Sequence, residues 1–389
     1  MNSWIIQART FCFATAIVLL NMAPALVPVA ARAQSPVASA NNTASQAQIE
    51  AYWTPQRLMS AKAIELHPIV GPTGFPIIRE TAPTNAPSVS SPGAPPSTAV
   101  GTGQGRLLIP SRYLAAPETT EIPEGTSSYG AYFTTGRVFP SAALTNFPYS
   151  AAGKLFFHDP RTGGNFVCSA SVLRLRVIVM AGHCVAHPST SAASRYFYNN
   201  FLFVPAYNNG AAPFKSWGWS RVFTTNTWYL SSGSIPNAQD VGMINPPDQK
   251  FGTVTKKIGQ VTGFLGYLTN SLAKNNVTML GYPTNLDNGQ SMEINNAQTF
   301  AFGGNNTYIY GSAMRGGSSG GPWIQDFGIR PTGTPPNTPP VVLGNNFLVA
   351  VTSYGPIATT PAYQGASNLN ADFLSLLSSA CAPTGSGNC

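Results

Sequence analysis

From residue 147 onward, apolar and β-branched residues come in short bursts rather than long stretches. Runs rich in Val, Phe, Tyr and Thr occupy 153–157, 166–173, 177–180, 201–204, 221–225, 241–244, 277–281, 299–302, 307–310 and 347–354, separated by Gly, Asn and Pro turns. Many short strands bounded by turn signals predict an all-β barrel or sandwich rather than alternating β and α units. Roughly 250 residues suit one such unit or two fused barrels. One helix is predicted last: Asn370 is placed to cap it, and Phe373, Leu374, Leu376 and Leu377 share a face. The proline-rich stretch 331–340 is predicted as a loop, too poor in N–H donors for a central strand.

Before that region the texture differs. Arg9, the apolar run 11–20 and the small residues Ala31-Arg32-Ala33 predict a signal peptide over 1–33, too short in its uncharged run for a membrane anchor. Residues 34–137 are rich in Pro, Ala, Ser and Thr, with 83–96 plainly low-complexity. Such composition buries little apolar surface, so this segment is expected to be a largely disordered propeptide. Arg137-Val138 is a candidate processing site, and 138–389 is expected to be the functional domain.

Charge and cysteines narrow the setting. Six of seven glutamates precede residue 125, and thirteen Lys/Arg face seven acids after Val138. These cations are scattered singly apart from Lys256-Lys257, which favours a solvated surface over nucleic-acid or membrane binding. With Cys12 removed in the signal peptide, Cys168, Cys184, Cys381 and Cys389 remain, an even number suited to an oxidising compartment. Of the three possible pairings, proximity favours Cys168–Cys184 and Cys381–Cys389. Metal ligation is disfavoured, since no CxxC pair or His cluster accompanies them.

Three stretches carry candidate chemistry. Met314-Arg315-Gly316-Gly317-Ser318-Ser319-Gly320-Gly321 runs straight into apolar Pro322-Trp323-Ile324, so it is a tight turn at the edge of a core. Glycines there let a ligand approach main-chain N–H groups, as an oxyanion hole around a hydroxyl requires. His183 ends the apolar run 177–180 beside Cys184, whose bridge would fix the imidazole. A histidine base needs a carboxylate on its far nitrogen. Asp159, Asp248, Asp287 and Asp326 sit in turns, Asp372 opens the last helix, and Glu293 before Asn-Asn reads as surface. Asp240 alone opens an apolar strand, which leaves it as the partner of His183.

Ala181-Gly182-His183-Cys184, Asp240-Val241 and Gly317-Ser318-Ser319-Gly320-Gly321-Pro322 together resemble a trypsin-like (chymotrypsin-fold) serine protease, in the flavour of bacterial V8-like, glutamyl-endopeptidase-type extracellular enzymes. Gly153-Lys154-Leu155-Phe156-Phe157, 167–171 and Gly281-Tyr282-Pro283 add to the likeness, which spans 147–377. The resemblance implies two antiparallel six-stranded Greek-key β-barrels with a C-terminal helix. It implies Ser319 as nucleophile, His183 as base, Asp240 as its orienter, and the N–H groups of Gly317 and Ser319 as oxyanion hole. Ser353-Tyr354-Gly355 would pair with substrate backbone, Ser353 would bond near Asp240, and Ala313 and Met314 would form the pocket floor.

Departures from the pattern shape the expectations. Ser318 stands where an aspartate would meet a new N-terminus, so masking by the propeptide is expected instead of activation by that ion pair. No histidine stands at 352–354 to meet a substrate carboxylate, so a neutral, small or apolar preference is expected. No cysteines flank the Ser319 loop. The expectation is a secreted, cofactor-free, metal-free monomeric serine endopeptidase acting on proteins or peptides and inhibited by its own propeptide. The rivals are a catalytically inactive protease-like binding protein and a β-rich secreted adhesin.

Overall fold

The strands expected from the bursts form two antiparallel sheets, and a leader segment packs on them. The computed structural model describes residues 36–77, 86–98, 105–110, 114, 125–126, 131–329, 345–358, 361–382 and 387–389. The signal peptide expected over 1–33 and the loop expected over 331–340 lie outside the described residues.

The leader supplies β1 (Val37–Asn41), α1 (Gln46–Tyr52), α2 (Pro55–Ser60), β2 (Lys62–Ala63) and β3 (Tyr132–Arg137). The first sheet is built from β4 (Ala152–His158), β5 (Asn165–Arg174), β6 (Val177–Met180), β7 (Asn199–Pro205), β8 (Arg221–Thr225) and β9 (Gly242–Asn245). The second is built from β10 (Asn276–Gly281), β11 (Glu293–Gly304), β12 (Thr307–Gly311), β13 (Pro322–Gln325), β14 (Phe347–Tyr354) and β15 (Tyr363–Asn368). Helix α3 (Ala371–Cys381) packs on β8 and β9, and the Asn370 side chain caps it by accepting from the N–H groups of Asp372 and Phe373.

Both sheets follow one connectivity. The first runs β8-β9-β6-β5-β4-β7 and the second β14-β15-β12-β11-β10-β13, so each strand has its counterpart six places later. This is the doubled Greek key that the resemblance implies. Among the described residues only the second sheet closes by hydrogen bonds, through β13 on β14. In the first, the equivalent edges are already taken. β1 lies along β8, pairing Val37 with Thr225 through Asn41 with Arg221, and Trp217 bridges Phe203 of β7 by reciprocal main-chain bonds of 2.7 and 2.8 Å.

The leader corrects the expectation of disorder for its described part. Thr54 and Ser45 cap α2 and α1, the latter through a capping box with Gln48, and Ile49, Trp53 and Leu58 enter the core. Average composition hides this, because the apolar residues are few but lie on the buried side. Even Ser90–Ser91, inside the low-complexity run, pairs with Tyr267 and Leu268. Strands β13 and β15 were also not expected. Tyr363–Asn368 is buried at every position yet mostly polar or small, with Gly365 lying under the Tyr354 ring, so no alternation betrays it.

Cys168 and Cys184 are bridged across β5 and the turn after β6, with Cα atoms 6.3 Å apart, and Cys381 is bridged to Cys389. Closing a loop of this length is worth about 3 kcal/mol in the chain-entropy treatment. A Cys168→Ala, Cys184→Ala variant should therefore lose about 3 kcal/mol in a denaturant titration, and an unchanged midpoint would contradict the role assigned to the bridge.

Lys154 of β4 is buried without a carboxylate partner among the described residues; its Nζ donates to the Gly289 carbonyl at 2.7 Å and lies 4.9 Å from the Tyr207 ring centre. Burial pulls its pKa from 10.5 down to about 7. Between those values the unfolded amine holds a proton that the folded one has released, so stability rises as pH climbs through that window. Lys154→Met should flatten the rise of melting temperature from about pH 7 to 10. A wild-type slope in the variant would place the titration elsewhere.

Candidate active site

The turn after β6 and the segment leading into β9 bring His183 and Asp240 together. Asp240 is wholly buried and its carboxylate accepts three hydrogen bonds: from the His183 main-chain N–H at 2.8 Å, from His183 Nδ1 at 2.8 Å and from Ser353 Oγ at 2.5 Å. A buried carboxylate requires this many donors to offset lost hydration. The backbone bond fixes the turn, and the Nδ1 bond fixes the imidazole tautomer with Nε2 as acceptor. That Nε2 is buried and has no hydrogen-bond partner among the described residues.

Ser319 lies in the turn before β13, 5% exposed. Gly317 and Gly320 hold the turn at φ of +95° and +78°, where L side chains are strained. A Cβ on Gly317 would fall 2.5 Å from the Tyr282 carbonyl oxygen, and one on Gly320 would fall 2.5 Å from that of Ser169. Without flanking cysteines, Ser169 fastens the loop. Its N–H donates to the Ser319 carbonyl at 2.7 Å, its hydroxyl donates to the Gly317 carbonyl at 2.8 Å and accepts from Tyr282 N–H at 2.9 Å. Ser169 is adjacent to Cys168, so one strand carries both the staple for the serine loop and the bridge to the histidine turn. The sulfurs of Cys168 and Cys184 lie within 4.8 Å of an imidazole nitrogen of His183, but they are bonded to each other and are not a thiolate metal set.

The pocket residues divide. Met314, Tyr354 and Gly355 line a cavity next to Ser319, together with Arg315, Ser318 and Gln364. Ala313 is buried and does not line it, and its carbonyl accepts from Asn285 Nδ2 at 3.0 Å. Ser353 is turned to Asp240, and the Tyr354 hydroxyl is paired with Thr307 at 3.0 Å inside the barrel. Gln364 donates to the Ser318 hydroxyl, which itself donates to the Arg315 carbonyl at 2.6 Å. Sequence reasoning passed over Gln364 because β15 itself carries no strand signal. Arg315 was visible within the glycine run, and a cation set among loop glycines was the signal to weigh. Glu293, expected at the surface, is 3% exposed, and burial followed by neighbouring Asp287 raises its pKa to about 8.

The leader enters this cavity. The Ser319 hydroxyl donates to the Ile64 carbonyl at 3.5 Å, Gly355 N–H donates to the Leu66 carbonyl at 3.3 Å, and His67 Nδ1 meets the Gly355 carbonyl at 3.1 Å. Glu65 lies over the bare face of Gly316, its Oε1 only 2.1 Å from where a Cβ would stand, and His67 Nε2 is 3.3 Å from its carboxylate.

No family model matches the chain, and no curated protein matches it. Among solved structures, it is similar to the protease Anisep from Arthrobacter nicotinovorans, at 25% identity over 60% of this chain and 96% of that one, with a TM-score of 0.48. A thermostable serine protease, AL20, from an extremophilic microorganism is 21% identical over 63% of this chain and all of its own, with a TM-score of 0.48. A Glu endopeptidase solved with MPD is 18% identical over 64% of this chain and 97% of its own, with a TM-score of 0.47.

Proposed function

We propose that this protein is a secreted serine endopeptidase that cleaves peptide bonds through an acyl-enzyme. The observation that carries the reading is the buried Asp240–His183 pair, with its orphaned Nε2, beside a serine presented on a glycine-strained turn. Nε2 takes the Ser319 proton as Oγ attacks the substrate carbonyl. The Gly317 and Ser319 N–H groups receive the developing oxyanion, and the imidazolium returns its proton to the leaving amine. Water repeats the sequence on the ester and releases the acid. Export is supported by the apolar leader run 11–20 and by the bridged cysteines; no helix among the described residues is long and apolar enough to cross a membrane.

The Ser319 hydroxyl donates to the Ile64 carbonyl of the leader, while His183 Nε2 has no hydrogen-bond partner among the described residues, which supports a masked state. The leader is accordingly read as the enzyme's own inhibitor, and the enzyme as active only after its removal. A protease-like binding protein remains the rival, but it has no use for a wholly buried carboxylate that accepts both from the backbone and from the imidazole of one histidine. Cleavage of a peptide library by the processed chain, absent in His183→Ala, tests the choice.

We infer an acidic preference in place of the neutral one expected. Arg315 borders the cavity, burial lowers its pKa, and the facing Glu65 carboxylate opposes that shift. A half-buried cation beside a seated glutamate favours an acidic substrate side chain over the neutral one expected from 352–354. Arg315→Ala should lower kcat/KM for acidic library members about tenfold relative to neutral ones, in line with a charged hydrogen bond. An unchanged ratio in the library profile would return the pocket to a neutral assignment.

A further inference from the structure

We infer that the leader fills the cleft as a strand of reversed polarity, which the catalytic groups cannot cut, so that unmasking must come from cleavage elsewhere in the chain. The inference rests on the endopeptidase reading above and names how that same site is regulated.

The direction in which a substrate must lie follows from where its proton goes. Attack at a peptide carbonyl forms the Ser319 Oγ–C bond and breaks C–N, and the departing nitrogen collects the proton that His183 took from the serine. The nitrogen side of the scissile bond must therefore face the His183 turn. That turn is tied to β5 by the Cys168–Cys184 bridge. The C-terminal half of a substrate consequently leaves over β5, and its N-terminal half lies along Ser353–Gly355.

The leader does the opposite. Its N-terminal residues Lys62 and Ala63 pair in parallel with Phe166 and Val167 of β5. Its carbonyl at Ile64 meets Ser319, and its C-terminal residues Leu66 and His67 bond to Gly355. The amide nitrogen beyond the Ile64 carbonyl is that of Glu65, on the Gly355 side and away from the histidine turn. His183, the group that would protonate a leaving nitrogen, is tied to the β5 side, so breaking this bond would expel an amide anion that His183 does not protonate. Meanwhile the contacts that hold the strand are largely independent of the chemistry. α1 and α2 anchor it upstream through Ile49, Trp53 and Leu58, and Glu65 is seated between Gly316, Arg315 and His67. Such a strand occupies the cleft without being consumed.

The test uses an active-site fluorophosphonate probe and cleavage mapping by mass spectrometry. It compares the full chain, the full chain carrying Glu65→Arg, the full chain carrying Ser319→Ala, and the processed chain lacking the residues before Val138. The processed chain should label at Ser319, the full chain at least about a hundredfold more slowly, and Glu65→Arg should recover at least about tenfold of that loss by repelling Arg315. Prolonged incubation of the full chain should yield no cut between Ile64 and Glu65. A cut at that bond, present in the wild type and absent in Ser319→Ala, would show that the leader lies as a substrate and overturn the inference. So would a full chain that labels as fast as the processed one. Full masking that persists in Glu65→Arg would keep the reversed strand and overturn only the part given to Glu65. A folded processed chain that fails to label is a different result, since it removes the endopeptidase reading itself.

Discussion

Replacing Ser319 with alanine is expected to lower peptide-bond turnover by about four to six powers of ten while leaving the fold in place. The two halves of this expectation have separate causes. In the proposed mechanism the hydroxyl is the atom that becomes the ester, so nothing in the variant can form the acyl-enzyme, and what remains is the rate that binding and the proposed oxyanion N–H groups provide alone. Structurally the hydroxyl is little used: its one hydrogen bond among the described residues is the 3.5 Å contact to the Ile64 carbonyl. The turn is held instead by Ser169 and by the main-chain bond from Gly320 N–H to the Thr352 carbonyl. Melting temperature and kcat/KM of the processed variant are the measurements. Activity within tenfold of wild type would remove Ser319 from the chemistry.

Asp240→Asn should cost about four powers of ten in kcat/KM, and unlike the serine change it should also destabilise the protein. The carboxylate accepts from three donors, two of them on His183. An amide presents one acceptor oxygen and one NH2, so at least one donor faces another donor, or the imidazole adopts the wrong tautomer with Nδ1 as acceptor and Nε2 unable to take the serine proton. A buried donor left without an acceptor costs about 1–3 kcal/mol. Ser353→Ala, which removes only the third donor, should cost far less activity. Equal losses in the two variants would mean that the pair acts through packing rather than through the imidazole tautomer.

What the sequence disclosed follows from which physical signals are local. Strands such as Val177–Met180, Arg221–Thr225 and Phe347–Tyr354 were legible because continuous β-branched and aromatic runs bounded by turns have few other solutions. The final helix was legible from its Asn370 cap and apolar face. The residues proposed for chemistry were picked out by contrast: His183 at the end of an apolar strand, Asp240 opening another, and Ser319 among glycines. The geometry places the first two in hydrogen-bonding contact and the third on the adjoining turn, by way of β5.

The remainder was hidden for a common reason: it depends on partners distant in the chain. Gln364 and Gly365 make sense only once Ser318 and the Tyr354 ring are in place. The leader reads as low-complexity because its order comes from docking on β8, β5 and Gly355, surfaces that it does not itself encode. Arg315 acquires meaning from Glu65, which lies 250 residues earlier in the chain.

The central claim is that Ser319 is a nucleophile activated by His183. The most direct measurement is covalent labelling of the processed chain with a fluorophosphonate, with the adduct located by peptide mapping. The account predicts one adduct per chain, on Ser319, lost in Ser319→Ala and in His183→Ala. A folded, disulfide-bonded processed chain that takes up no label, or takes it up on another residue, would contradict it.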